Sequence, residues 1–463
     1  MKLSFRQAKL GFSFILLMLG VGPGCSAPIE SSNRSISDST PAVSCPPGEY
    51  VWDTAVASMA PADGAGTWDA NSTSNWTLSS GASLVTWGGT GSLACFGSNN
   101  GAAGVVTVSG TVATAGIDFV KAGSGNYLLS GGVLNLDLNS VINGASSAEI
   151  SSVLAGNSSL SVNNTATTTL SGINTYTGGT TINAGTLSAA TTLALGRGPV
   201  VINSSGILSL DLPTFDFSNS ANWVFGETDA RAAFIPTMSS GTLMVTDNTL
   251  WESTYAYFKN MVDGTGDFSL SVTYQLGGDK AADGSCLVLQ NSASGTSAIG
   301  VVGNGLGYRG IANSIALCID VWNSSSRIQQ VGIGVNGVTP ASWTNASAEI
   351  NAGNPVQILF SYNATTHVVT YSLQDTVTLS TVGPLTYSLP SSLSTILGGA
   401  GTGYLGITAA TGGAKCTQTY SNFSFATMLF GGNSITVNSG GIFNKNGLTI
   451  SNSIINNGGT VNP

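Results

Sequence analysis

Between Val51 and about Leu212 the chain alternates apolar and polar positions in short runs, at residues 105–112, 134–138, 167–170, 180–187 and 200–210, each bounded by Gly, Asn or Ser. A period of two sends successive side chains to opposite faces, so each run predicts a strand. The runs recur at roughly regular spacing with polar turns and almost no charge. That recurrence predicts the stacked coils of a right-handed parallel β-solenoid. The same pattern returns at residues 434–441 and 448–450. Residues 51–212 and 429–463 are therefore expected to form one array, interrupted between.

The N-terminus follows a different pattern. Lys2, Arg6 and Lys9 precede the apolar run 11–19 and then small residues, the layout of a secretory signal over residues 1–24. The run is too short to span a bilayer comfortably, and no other apolar stretch is long enough for a membrane helix. Gly24-Cys25 leaves two outcomes open, lipidation of Cys25 as a surface anchor or ordinary cleavage. Residues 25–50 read as a linker, Ser- and Pro-rich from 29 to 49.

Composition narrows the function. Charged residues make up only 8% of the 463, with 61 Gly, and the formal net charge is −9. Loss of the three N-terminal cations would leave −12. Such a surface repels nucleic acid, and no basic cluster or phosphate loop is present. Hydroxyl- and amide-rich chains of this kind suit exported β structure better than a cytosolic enzyme. Six cysteines point to disulfides in an oxidising compartment. Cys45 and Cys95 flank one segment and are expected to pair.

Two resemblances refine this picture. Residues 170–187, LSGINTYTGGTTINAGTL, resemble the autotransporter-associated β-strand repeat of bacterial surface passengers. Trp68-Asp69-Ala70, Asn75-Trp76 and Trp87 resemble the N-terminal cap of such proteins, a pattern that core packing alone also produces. Further on come an Ala282-Asp283-Gly284 turn, a Gly-rich loop ending Gly305-Leu306-Gly307-Tyr308, and an apolar strand ending Ile319-Asp320-Val321-Trp322-Asn323. Residues 404–413 and 422–425 supply a later loop and a closing strand. Through these pieces residues 213–428 resemble the legume (L-type) lectin family. The resemblance implies a concanavalin-like antiparallel β-sandwich (jelly roll) inserted in the solenoid, with glycan or polysaccharide as its partner.

A sugar presents hydroxyl edges and C–H faces, so its site needs a carboxylate acceptor, backbone donors at close range and an aromatic platform. By the resemblance, Asp283 is the acceptor, following a cis peptide with Ala282. Asn304 and Gly305 form the loop whose backbone approaches the ligand, Asn323 adds an amide, and Gly413, Ala414 and Lys415 occupy the specificity loop. Trp322, Tyr308 and Tyr404 are candidates for the stacking face, although aromatic residues in sandwiches more often serve the core.

The family also holds calcium, often beside a transition metal, through a Glu-x-Asp-x-aromatic-x-Asn run followed by Asp and His. Here Cys318 stands at the Glu position and Gln330 at the His position, which leaves Asp320, the Trp322 carbonyl and Asn323 as metal ligands. Calcium takes about six to eight oxygens, usually with several carboxylates. A weak calcium site is expected, and no transition metal. By the same resemblance Cys286 and Cys318 lie on neighbouring strands beneath the sugar site, where a bridge would replace part of a metal's rigidity. Cys416 is left as a buried free thiol.

Catalysis finds little support. Glycoside hydrolysis needs two carboxylates flanking the bond, and no Glu-x-Asp-x-x-Glu strand occurs. The single histidine, His367, falls at an expected hairpin tip. The sequence closes without the amphipathic strands of an outer-membrane barrel, which leaves two alternatives, export by another route or a piece of a longer repeat protein. The expected protein is exported, non-enzymatic and glycan-binding, secreted or on the outer cell surface. The rival is a structural or adhesion passenger whose lectin-like domain no longer binds sugar.

Overall fold

The computed structural model describes residues 45–463 except 56–59, 79–82, 213, 229–233, 280–281, 323–327, 351–352, 400, 428–432, 449 and 451. The signal segment, Cys25, Asn323 and most of the linker thus lie outside the described residues. The protein is all-β: two parallel sheets of a solenoid and two antiparallel sheets of a sandwich.

In the solenoid each coil adds one strand to each sheet. Leu160–Val162 pairs with Thr180–Ile182, which pairs with Val200–Ile202. In the second sheet Thr167–Leu170 pairs with Gly185–Ala189, which pairs with Gly206–Leu210. Alternation lines the interior with Leu160, Val162, Leu170, Ile182, Leu187, Ile202 and Leu208, all buried. The runs at 180–187 and 200–210, each read as one strand, are therefore two strands in different sheets. The chain turns a corner at Asn183-Ala184 and at residues 203–205; the alternation keeps its parity across the second corner and slips by one at Leu187 across the first.

Asparagines mark that corner. Asn203 Nδ2 donates to Asn183 Oδ1 at 2.7 Å, Asn183 to Asn163 at 2.8 Å, Asn163 to Asn143 at 2.9 Å, and Asn143 to the Asp118 carboxylate at 2.7 Å. This ladder satisfies side-chain amides that the turn would otherwise strip of water.

The first coil is closed by the tryptophans. Tyr50–Trp52 pairs antiparallel with Trp76–Leu78, and Trp52, Trp68, Trp76 and Trp87 pack with ring centroids 4.8 to 5.2 Å apart. The end of the expected linker belongs to this unit, because Cys45 is bonded to Cys95 and Glu49 is buried.

After Gly206–Leu210 the chain leaves the solenoid and returns more than two hundred residues later in register. Ile435–Asn438 pairs with Val200–Ile202, and Ile442–Asn444 with Gly206–Leu210. Asn438 donates to Asn203 at 2.8 Å, so the asparagine ladder continues across the insertion and on to Asn457. The inserted sandwich packs two seven-stranded sheets around an apolar core that includes Trp223, Phe258, Phe268, Leu287, Leu317, Phe360 and Ile407. Gly284–Gln290 runs between Ser314–Asp320 and Thr402–Ala410 and is buried on both faces. One face meets the sandwich core. The other is covered by the loop carrying Leu306, Tyr308 and Ile311. Arg197 of the solenoid ties the two parts together, donating from Nη1 to Thr265 Oγ1 at 2.9 Å. No helix among the described residues is long and apolar enough to cross a membrane.

Candidate functional site

The three strands Gly284–Gln290, Ser314–Asp320 and Thr402–Ala410 end together, with Gly284 opposite both Asp320 and Ala410. This register brings residues 283, 321 and 411 to one edge of the inner sheet. Asp283 donates its N–H to the Ala410 carbonyl at 3.1 Å and accepts from the Val321 N–H at 2.9 Å. Its peptide with Ala282 is cis and its side chain is buried.

Two glycines press against that carboxylate. A Cβ at Gly412 would lie 2.6 Å from Asp283 Oδ2 and 3.4 Å from the Gly303 Cα. A Cβ at Gly303, whose φ is +67°, would lie 3.8 Å from the same oxygen. The loops 303–305 and 411–415 therefore close on Asp283 because neither carries a side chain there. The Gly303 N–H donates to the Thr411 carbonyl at 3.2 Å and joins them.

The other predicted residues are placed as follows. Asn304 is exposed in the short turn Gly303–Gly305. Gly305 is buried, and its N–H donates to the Val302 carbonyl at 3.4 Å, so its place is inside the turn. Gly413 is exposed with open space where a side chain would stand. Ala414 accepts from the Gly412 N–H at 3.0 Å, and Lys415 Nζ stands 3.7 Å from the Asp279 carboxylate. Of the stacking candidates, Trp322 is 37% exposed and Tyr404 is half-buried. Tyr308 is fully buried, its hydroxyl bonded to Ser314 and accepting from the Gly337 N–H, which makes it a core residue. His367 sits half-buried at the hairpin tip between Val356–Asn363 and Val368–Asp375.

Residues that the local sequence did not mark also reach this edge. Trp251, 40% exposed, donates its N–H to the Gly412 carbonyl at 3.2 Å. Glu252 next to it is buried; its N–H donates to Thr411 Oγ1 at 2.9 Å and its carbonyl accepts from the Thr411 N–H at 3.0 Å. Burial, reinforced by Asp247, pushes the Glu252 carboxyl up to about 8. Cys416 lies beneath, its thiol donating to the Ala282 carbonyl at 2.9 Å. Burial first, then the neighbouring Asp283 and Glu252 charges, push that thiol up to about 12, which keeps it protonated and inert.

Both oxygens of the Asp320 carboxylate accept hydrogen bonds. Oδ1 accepts from the Trp322 N–H at 3.0 Å and Oδ2 from Gln330 Nε2 at 3.1 Å. Cys318, at the position of a metal-binding glutamate, is bonded to Cys286 directly across the ladder, with Cα atoms 4.0 Å apart. Among the described residues no group of three or more His, Cys, Asp and Glu side chains is arranged to hold a metal ion.

Comparison with known proteins adds two findings. The passenger-associated-transport-repeat family matches residues 160–189, two adjoining coils of the solenoid. The sandwich is similar to solved lectins: one from Bauhinia forficata in complex with GalNAc is 16% identical, with a TM-score of 0.39, and the match covers 46% of this chain and 95% of that one. The metal-free form of lectin I-B4 from Griffonia simplicifolia is 18% identical at a TM-score of 0.38, over 46% and 96% of the two chains. Arcelin-5, a lectin-like defense protein from Phaseolus vulgaris, is 14% identical at 0.37, over 46% and 95%. No curated protein sequence matches the chain.

Proposed function

We propose that this is an exported, non-enzymatic surface protein whose sandwich binds a glycan at Asp283 and whose solenoid displays that site. The observation that carries the reading is the closure of the Gly303 and Gly412 loops on the buried Asp283 carboxylate. A carboxylate accepts sugar hydroxyls, and short glycine loops beside it would let a pyranose ring come within hydrogen-bond reach. Trp322 and Trp251, both exposed at this edge, supply apolar faces for its C–H surface. The repeat at residues 160–189 supports export to a cell surface.

The site works without a metal in this reading. The Gln330 amide and the Trp322 N–H hold Asp320, and the Cys286–Cys318 bond fixes the two strands beneath the loops. A second reading, a spacer that no longer binds sugar, is favoured by the inward-facing Gly305 N–H. A glycan array probed with the whole chain separates the two. Asp283→Asn keeps the shape and removes the charge, and should weaken retained glycans by roughly 10- to 100-fold, the worth of about 1.5–3 kcal/mol for hydrogen bonds to a charged acceptor. Added chelator should change neither the binding nor the melting temperature. Equal retention by the variant would refute the site, and a fall in both quantities with chelator would refute its metal independence.

A further inference from the structure

We propose that a second saccharide site, selective for a carboxylated unit such as a uronic acid, lies in the crevice between solenoid and sandwich. The crevice has a volume of about 330 Å³, room for one pyranose ring and part of a second, and is walled on one side by solenoid turns and on the other by Lys259, Asn260, Thr402 and Tyr404. It is separate from Asp283. Tyr404 pairs with Gln290, at the far end of the strand whose near end follows Asp283, and seven residues at about 3.4 Å each set the two sites roughly 24 Å apart.

The walls are fixed. On the solenoid side Thr191 Oγ1 donates to the Gly172 carbonyl at 3.1 Å, and Asn174 Nδ2 to the Ala194 carbonyl at 2.5 Å, binding successive turns together. On the sandwich side the ladder between Ser253–Asp263 and Thr402–Ala410 slips between Tyr257 and Met261, so that Phe258, Lys259 and Asn260 stand opposite Leu405 alone. A bulge of this kind redirects side chains, and here it releases Lys259 and Asn260 from the regular alternation beside the crevice. Arg197, donating to Thr265, whose hydroxyl in turn donates to Asp263 at 2.6 Å, clamps the two walls at a set separation.

The chemistry selects the ligand class. The chain has 13 Lys and Arg against 22 Asp and Glu, yet the one charged residue among the described residues lining this crevice is Lys259. Of the carboxylates near it, Glu149 accepts from Ser171 Oγ at 2.6 Å, and Asp263 accepts at Oδ1 from Thr265. Lysine pairs with a carboxylate as a point charge. Asn260 and the threonine hydroxyls supply the donors and acceptors that ring hydroxyls require, and the Tyr404 ring offers a face for C–H contact. Lys259 is exposed at the rim of the crevice, so a neutral sugar leaves its ammonium to water, whereas a uronate adds an ion pair to the hydroxyl and C–H contacts.

The test uses the whole chain titrated with tri-galacturonate, and with galactotriose as its neutral counterpart, by isothermal calorimetry at low and high salt. Galacturonate binding is expected at low salt and should weaken as salt rises. Lys259→Gln should lower the affinity at least tenfold, while Lys121→Gln, an exposed lysine on the solenoid outside the crevice, should leave it unchanged. Asp283→Asn should also leave it unchanged, which keeps failure of this site distinct from failure of the first. Tyr404→Leu, which preserves an apolar side chain in the strand, should weaken binding as well. Absence of galacturonate binding, equal affinity in Lys259→Gln, or loss of binding in Asp283→Asn would each overturn the proposal.

Discussion

Gly412 is the residue on which the candidate site turns. With 2.6 Å between its missing Cβ and Asp283 Oδ2, Gly412→Ala must displace the carboxylate or the loop. Crowding of this kind costs about 1–3 kcal/mol. The variant should lose glycan retention on an array and melt several degrees lower, while Gly413→Ala, one position on and in open space, should match wild type in both measurements. A second residue-scale consequence concerns acid. Glu49 is raised to about 7, by burial and then by Asp118, and Glu252 to about 8. Each folded carboxyl keeps a proton that the unfolded chain releases from 4.5 upward, so the folded state loses stability as pH climbs from there to about 8. Asp375, held down to about 2 by the Thr378 N–H and the Asn354 amide, acts only at the opposite extreme. The melting temperature should therefore fall between pH 5 and pH 8, and Glu49→Gln with Glu252→Gln should flatten that fall; a rise over the same interval would contradict the assignment. Asp283, Asp320 and the glycine loop were legible because each sits in a short motif. Trp251 and Glu252 were not, because what brings them to the site is pairing with Thr411 and Gly412, some 160 residues away.

At the scale of the element, alternation reveals strands but not corners. Residues 200–210 keep their even-numbered rhythm while the backbone passes from one sheet to the next, and a period of two does not record that change. A longer period does record it. Asn143, Asn163, Asn183 and Asn203 are spaced by twenty and bond in sequence, so the coil length is written in the corner amides and not in the apolar positions. Asn183 both donates and accepts in the ladder. Asn183→Ala should remove two partly buried hydrogen bonds and leave its neighbours' amides unpaired, lowering stability by about 1–3 kcal/mol in urea unfolding. Asn457→Ala, exposed at the last rung, should cost clearly less.

For the whole molecule, the insertion is a property of the solenoid as much as of the sandwich. The coil that closes at Leu210 and the coil that opens at Ile435 stack in register, through Val200 with Ile435 and Asn203 with Asn438. The solenoid should therefore fold without its passenger. Replacing residues 211–434 with a copy of 190–199, the segment that joins Gly185–Ala189 to Val200–Ile202, should give a chain that retains the circular dichroism of stacked parallel coils and unfolds in one cooperative step. Collapse of that chain would mean that the sandwich holds the last coils in place. The twofold attachment also has a mechanical meaning. A domain hung from a single terminus swivels and hands all tension to one peptide strand. This one is joined at both ends to adjoining coils, with Arg197 as a strut, so a pull on the sandwich is shared between the two attachments and passes into the stack as shear across many backbone bonds loaded together.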